Sequence, residues 1–233
     1  MDLGISGRRA LVAASSLGLG RETARALHEA GCELVVSGRD EGRLADAIAD
    51  LGGGTPVVTD LTSIEAAEAL VAAATEAMGG VDILVTNNGG PPPGDFASTD
   101  MSAYQTALDL NLLSMVGLCK AAVPTMQAHG WGRVVAITSI SVRQPIATLI
   151  LSNTARAGFT GFLKTLALEV AGDGITVNSL QPGYHATPRL EQVRGGDLDS
   201  LAAEVPAGRI GDPDDFGRIA AVLCSDAAGF VTG

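Results

Sequence analysis

The first loop of the chain carries the residues best suited to holding a phosphate group. Residues 13–20, AASSLGLG, follow a short apolar segment and open a helical pattern. Gly18 and Gly20 would let a pyrophosphate approach the backbone N–H groups at the positive end of the helix dipole. Gly-rich turns between strand and helix also occur for packing alone. A loop beyond the carboxyl end of a parallel strand is nevertheless where α/β sheets bind ligands, so we predict a nucleotide site here.

Thiol and imidazole side chains are few and scattered. The cysteines, at positions 32, 119 and 224, form no CxxC pair, and a sparse, odd count is typical of a reducing compartment without a disulfide framework. We expect each to be a small core residue rather than a nucleophile. The histidines, at positions 28, 129 and 185, lack metal-like spacing, so we predict no metal site.

Composition narrows the classes of partner. The net charge is −11 and aromatic residues make up 3% of the chain, which argue against binding nucleic acid over a broad surface. A local basic pocket for one phosphate remains compatible with that balance. The N-terminus lacks the sustained apolar region of a signal peptide, and no stretch of about 18 uninterrupted apolar residues is present. We therefore predict a cytoplasmic protein with no membrane span.

Strand and helix patterns alternate six times without a linker or repeat. Strands are predicted at 9–14, 33–37, 56–59, 81–86, 132–138 and 175–180, and a long helix is predicted at 102–129. Such alternation indicates one α/β domain over 1–233, a Rossmann-type doubly wound parallel sheet flanked by helices on both faces. The polar stretch 184–211 is predicted to be a substrate-covering loop. Because the sequence stops right after a helix, we expect a C-terminal strand to be missing from it.

The whole chain resembles the short-chain dehydrogenase/reductase family, in its branch of 3-oxoacyl-carrier-protein reductases. The resemblance rests on five ordered landmarks: the loop 13–20, the motif Asn87-Asn88-Gly89-Gly90, Asn111, Ser139 and Pro182-Gly183. It implies a dinucleotide cofactor. The residues that it assigns to cofactor binding are Ala14, Ser16, Gly18, Leu19, Gly20, Asp60, Leu61, Asn88, Gly89, Gly90, Pro182, Gly183 and Thr187. Asp60 could equally be a residue that leads into the next helix.

Cofactor choice depends on the end of the second strand. An acidic residue there would bind the adenosine ribose and repel a 2′-phosphate. The chain has Ser37-Gly38-Arg39 instead, and a guanidinium suits a 2′-phosphate through bidentate bonds. A solvated Arg39 at a helix start is the alternative. We predict NADP as the cofactor, with NAD still possible.

The resemblance also places four catalytic positions, and two of them depart from the family. Ser139 would orient the substrate carbonyl and Asn111 matches the family's helix asparagine, but Ser152 and Arg156 stand where the family has Tyr and Lys. An alkyl hydroxyl is a far weaker acid than a phenol, and arginine stays protonated. Proton transfer would then need another group, and Tyr184 and His185 are the nearest candidates by sequence.

Two functions remain open at this point. One is an NADP(H)-dependent oxidoreductase of divergent mechanism that acts on a carbonyl or hydroxyl compound. The other is a dinucleotide-binding protein without turnover, serving as a sensor or an oligomer partner. By resemblance, the apolar helices 102–129 and 154–171 would pair across a two-fold axis to give a homodimer or homotetramer.

Overall fold

The computed structural model describes residues 2–194 and 198–233, which form a six-stranded parallel sheet between two layers of helices. The strands are β1 (Arg9–Val12), β2 (Glu33–Gly38), β3 (Thr55–Val58), β4 (Ile83–Thr86), β5 (Gly132–Ile137) and β6 (Ile175–Leu180). The helices are α1 (Gly18–Glu29), α2 (Glu41–Leu51), α3 (Ile64–Met78), α4 (Met101–Leu108), α5 (Ser114–His129), α6 (Ile150–Val170), α7 (Pro188–Arg194), α8 (Leu198–Glu204) and α9 (Pro213–Cys224). The predicted fold class is confirmed.

The sheet order is β3-β2-β1-β4-β5-β6, and every pairing is parallel. The connections reverse direction between β1 and β4, so the loops after these strands diverge and leave a crevice at their carboxyl ends. Successive strand residues point to opposite faces. Leu11 packs with α3, α5 and α6 on one face, whereas Val12 packs with α1 and α9 on the other. The apolar strand sequences thus fill a core on both sides.

The long helix predicted at 102–129 is present over Met101–His129 and contains one π turn. A π turn over Asp109–Leu113 separates α4 from α5, and the Ser114 N–H donates to the carbonyl of Asp109. The Leu110 carbonyl instead accepts bonds from the Asn88 side chain (2.9 Å) and the Ser114 hydroxyl (2.9 Å). The predicted long helix is therefore confirmed, and the π turn is a local irregularity at which the Asn88 side chain, from the loop after β4, bonds one of the helix carbonyls.

The helix Met101–His129 is long and apolar enough to cross a membrane: its most apolar 18-residue segment has a mean hydropathy of 1.4. Half of that segment is buried inside the fold. The buried side chains of α5, Leu118 and Met126 among them, belong to the core against α3 and the sheet. This burial is typical of a core helix.

The stretch 184–211 is not the uninterrupted loop that the sequence predicted. It contains α7 and α8, and a bridge between His185 and Gly211 draws its ends together. At the end of the sequence, the Gly233 N–H donates to the Val177 carbonyl (2.9 Å) and the Thr232 hydroxyl accepts from the Val177 N–H (3.0 Å). The last residues thus lie along the outer edge of β6.

Candidate functional site

One cleft of about 830 Å³ opens at the carboxyl ends of the strands. It begins at the loop after β1, runs past the ends of β4 and β5, and reaches the segment after β6. Most of the residues predicted to bind a cofactor line it: Ala14, Ser16, Gly18, Leu19, Arg39, Leu61, Asn88, Gly89, Gly90, Pro182, Gly183 and Thr187. Gly20, Asp60 and Asn111 lie outside its lining.

The loop after β1 is shaped by two neighbouring strands. Ala14 has a φ of +45°, which turns the chain, and its N–H donates to the Ser37 hydroxyl at the end of β2 (3.0 Å). Its carbonyl accepts a bond from the Asn87 side chain after β4 (3.0 Å). A Cβ at Gly20 would lie 2.7 Å from the Asn87 amide nitrogen and 2.8 Å from the Ala14 carbonyl. Gly20 therefore serves the packing of the loop rather than its open face.

The start of α1 is open to an anion. Within the described part of the chain, no side chain caps this helix, whose first residue is Gly18 at a φ of +62°. The first N–H groups of a helix have no partner inside it and carry a partial positive charge. A phosphate group is the ligand that such an N-terminus favours.

Asn88 and Asn111 hold the loop after β4 in place. The Asn88 amide donates to the carbonyls of Leu61 (2.8 Å) and Leu110 (2.9 Å), and the Asn111 amide donates to the carbonyl of Gly89 (3.0 Å). Asn111 is 2% exposed, and its side-chain oxygen is buried without a hydrogen-bond partner among the described residues. The structure places Asn111 behind the cleft wall, where it supports Gly89.

Arg39 lies at the far end of the cleft, after β2. Its side chain is 74% exposed, and its Nε lies 3.9 Å from a carboxylate oxygen of Asp60. Asp60 stands outside the lining, whereas its neighbour Leu61 is buried and reaches the cleft. Asp60 therefore lies beside Arg39 with its side chain about half exposed, and its contact with the adenine stays a prediction.

The three predicted catalytic positions on β5 and α6 come together at the other end. Ser139 follows β5, and its hydroxyl accepts a bond from the Ser141 N–H (3.1 Å). Ser152 and Arg156 lie one turn apart on α6, and all three line the cleft. The helix begins at Ile150, four residues before the predicted start, which places Ser152 in its first turn.

The guanidinium of Arg156 bridges two strand ends. Nη1 donates to the carbonyls of Ile137 (3.1 Å) and Thr138 (3.3 Å), and Nη2 donates to the carbonyl of Asn88 (3.3 Å). Burial, with a contribution from the charge of Arg189, lowers the pKa of Arg156 to about 10. The group therefore remains a cation at neutral pH and is not a base.

Tyr184 and His185, the two candidate proton donors, both line the cleft. The imidazole of His185 packs edge-on against Phe216, with 5.3 Å between ring centroids, and its Nδ1 lies 3.4 Å from the Gly183 carbonyl. Thr187, farther along, lies against Gly18, where an added Cβ would be 3.6 Å from its methyl group. The segment after β6 thus covers the loop after β1.

Sequence reasoning missed several lining residues. Arg189 donates to the Pro91 carbonyl (2.8 Å), and burial lowers its pKa. Thr148 adopts a φ of +66°, which is an outlier for a β-branched residue, and its carbonyl accepts a bond from the Gly94 N–H (2.6 Å). Asn87 belongs to the motif that carries the family resemblance but was assigned no role there, and nothing local in the sequence marks Arg189 or Thr148.

The cysteines occupy the core, as predicted, and are free and buried. Burial raises the pKa of the Cys119 thiol to about 12 and is the main cause that raises that of Cys32 to about 11. Thiols with such pKa values are poor nucleophiles at neutral pH. Among residues 2–194 and 198–233, no cluster of three His, Cys, Asp or Glu side chains could hold a metal ion.

Comparison with known proteins identifies relatives over the full chain. A family model described as enoyl-(acyl carrier protein) reductase matches residues 13–233. The 3-oxoacyl-(acyl-carrier-protein) reductase of Vibrio cholerae is 33% identical over 99% of this chain and 95% of its own length. The L-sorbose reductase of Gluconobacter frateurii, solved with NADPH and L-sorbose, has a TM-score of 0.92 at 31% identity, covering 100% of this chain and 95% of its own. A variant of actinorhodin polyketide ketoreductase solved with NADPH has the same TM-score at 32% identity, over 97% and 93% of the two chains.

Proposed function

The chain belongs to the short-chain dehydrogenase/reductase family and is an oxidoreductase of that type, and we propose that it reduces a carbonyl compound with NADPH through a divergent active site. In this proposal, Ser152 and Arg156 occupy the places of the family's Tyr and Lys. One observation carries this proposal. Ser139, Ser152 and Arg156 line the same cleft as Arg39 and the loop at residues 13–20, which we call the phosphate-suited loop.

The cleft fits a dinucleotide. The uncapped start of α1 suits a pyrophosphate, and a Cβ added at Gly89 or Gly183 would meet no atom within 4 Å, so these glycines leave open space along the wall. Arg39 suits a 2′-phosphate. Two structural neighbours were solved with NADPH, and this supports the same cofactor here. Bound there, NADPH would supply the hydride.

The chain's own residues would hold and polarise the carbonyl. The hydroxyls of Ser139 and Ser152 can donate hydrogen bonds to its oxygen, and the cation at Arg156 stabilises negative charge that develops there. Neither a serine hydroxyl nor an arginine is an efficient proton donor at neutral pH. We propose that the proton comes from Tyr184 or His185, which line the cleft beside Pro182 and Gly183.

Turnover of a simple ketone with NADPH tests this proposal. General acid–base assistance typically contributes about 10²- to 10⁴-fold. We therefore expect slow reduction by the unaltered protein and a faster rate in the double variant Ser152→Tyr/Arg156→Lys, without much tighter NADPH binding. The separate variants Tyr184→Phe and His185→Gln then identify the proton donor by the larger loss of kcat. Fast turnover that neither variant slows would contradict the assignment.

A second function is favoured by the same two residues. Ser152 and Arg156 line the cleft and could form hydrogen bonds with a bound dinucleotide, but neither is an efficient proton donor. This combination would suit a dinucleotide-binding protein without turnover that serves as a sensor or oligomer partner. Tight NADPH binding with no turnover in either the unaltered protein or the double variant would support this second function over the first.

A further inference from the structure

The cleft is positively charged in a strongly acidic protein. Among the described residues that line it, four are arginines, at positions 39, 43, 156 and 189, and one is a carboxylate, Asp40. The net charge of the whole chain is −11. The lining of the cleft is therefore positively charged although the protein as a whole is negatively charged, and the cleft favours anionic ligands.

The four arginines form two separate groups. Arg39, Arg43 and Asp40 lie together after β2, where the Asp40 carboxylate accepts a bond from the Arg43 N–H (2.8 Å). Arg156 reaches the end of β5, and β1 and β4 lie between β2 and β5. Three steps between neighbouring strands span about 14 Å. Arg189 bonds the Pro91 carbonyl in the loop after β4, and its charge adds to the effect of burial in lowering the pKa of Arg156. These two arginines thus form a second basic group in the cleft.

This pair lacks a carboxylate partner. Both guanidiniums are held by backbone carbonyls: those of Ile137, Thr138 and Asn88 for Arg156, and that of Pro91 for Arg189. Within the described residues, no carboxylate oxygen lies within 4 Å of either. Carbonyl dipoles orient a guanidinium without cancelling its charge. Two partly buried like charges are costly unless an anion compensates them.

Arg156 stands apart from the two places that suit the cofactor's phosphate groups. The uncapped start of α1 follows β1, two strands from β5, and Arg39 follows β2, one strand farther. Arg156 instead lies one helical turn from Ser152 and lines the cleft with Ser139, where the proposed reaction takes place. The uncompensated charge of Arg156 is therefore placed for the substrate rather than for the cofactor's phosphate groups.

We propose that the substrate is an oxo acid whose carboxylate is bound by Arg156 and Arg189. The assignment of the anion as substrate rests on the proposed reductase function. A guanidinium fork matches a carboxylate in a bidentate pair. Ser152 and Arg156 are four residues apart on α6, so their Cβ atoms lie about 5–6 Å from each other. A substrate that carries both a ketone and a carboxylate, as an oxo acid does, can therefore present the ketone to Ser152 and the carboxylate to Arg156 in the same cleft.

A binding experiment tests the anion site. Malonate and its neutral analogue malonamide are titrated calorimetrically into the free protein and the NADPH-saturated protein. We expect malonate to bind at least about tenfold more tightly than malonamide, because charge-assisted pairs are stronger than neutral hydrogen bonds. Arg189→Gln should lower the affinity for malonate by about tenfold or more, and Arg189→Lys should lower it less, because the charge stays while the fork is lost.

The matched control is Arg218→Gln, which removes the same charge from the exposed face of α9, where Arg218 pairs with Asp214 (2.6 Å). It should leave malonate affinity unchanged. Equal affinities for malonate and malonamide, or equal losses in Arg189→Gln and Arg218→Gln, would overturn the proposal. Retained circular dichroism of Arg189→Lys and Arg189→Gln separates a lost site from a lost fold.

A turnover experiment separates this inference from the proposed function. Acetoacetate and its methyl ester carry the same ketone, and we expect kcat/KM with NADPH to be at least about tenfold higher for the acid, with the preference lost in Arg189→Gln. If the ester is reduced as well as the acid, the reductase stands and the oxo-acid assignment falls. If NADPH does not bind at all, the reductase fails, and the malonate titration of the free protein still decides the anion site.

Discussion

At the scale of single residues, the turn at Ala14 shows how the site stores backbone strain. Its φ of +45° lies in the left-handed region, where a side chain costs about 1–2 kcal/mol. Bonds from Ser37 and Asn87 hold it there, since its N–H and carbonyl are both engaged. The shape of the phosphate-suited loop thus depends on residues 23 and 73 positions away in sequence.

Replacing this alanine with glycine should stabilise the protein. Ala14→Gly relieves the strain, and the entropy that glycine adds to the unfolded chain offsets about 0.5–1 kcal/mol of the gain. We expect a net stabilisation of about 0.5–1 kcal/mol, which raises Tm by about 1–4 °C in a thermal unfolding scan. The control is Ala72→Gly on the exposed face of α3, where glycine should cost about 1 kcal/mol. A lower Tm in both variants would show that Ala14 is unstrained.

The sequence predicted which residues line the site better than it predicted which residues lie next to one another there. Local motifs and the family resemblance led to the loop 13–20, Asn88, Ser139 and Arg156, and all of these reach the cleft or its wall. Arg189 could not be predicted as a neighbour of Arg156, because the two are 33 positions apart and only the fold of the segment after β6 brings Arg189 to the same cleft. The position of Asp60 beside Arg39 could not be predicted either, because it depends on the pairing of β2 with β3.

At the scale of elements, the sequence predicted the strands and the long helix well, but not the π turn inside that helix. The limits of β6 match the prediction, and the other strands differ by one or two residues at one or both ends. The apolar pattern over 102–129 is nearly the same for a regular α-helix as for one with a π turn, so periodicity cannot reveal the turn. At this turn the Asn88 side chain, which is distant in sequence, bonds the Leu110 carbonyl.

The outer face of α6 is one of the surfaces through which we expect the chain to form a dimer or tetramer. Leu168 on this helix is 85% exposed, which is unusual for a leucine in a folded monomer. We expect Leu168→Glu to lower the molar mass measured by light scattering at micromolar concentration, because a charge would be buried in the contact. Ala72→Glu, which adds the same charge on exposed α3, should leave the mass unchanged. A monomer in the unaltered protein would contradict the expectation.

At the scale of the whole molecule, the charge distribution and the fold agree on one use of the cleft. Although the net charge of the chain is −11, four arginines line the crevice at the point where the strand order of the parallel sheet reverses. Composition alone predicted only that a local basic pocket was allowed. Its location and its two separate groups depend on the strand order, which brings distant loops to one edge.

The most direct test of this account is a calorimetric titration of the unaltered protein with NADPH and with NADH. We predict one NADPH bound per chain, with a Kd at least about tenfold lower than that of NADH, because Arg39 can form charge-assisted bonds only with the 2′-phosphate. Arg39→Asp should narrow or reverse this difference, while Arg218→Gln should leave it unchanged. Equal affinities for the two cofactors in the unaltered protein, or no binding of either, would contradict the account.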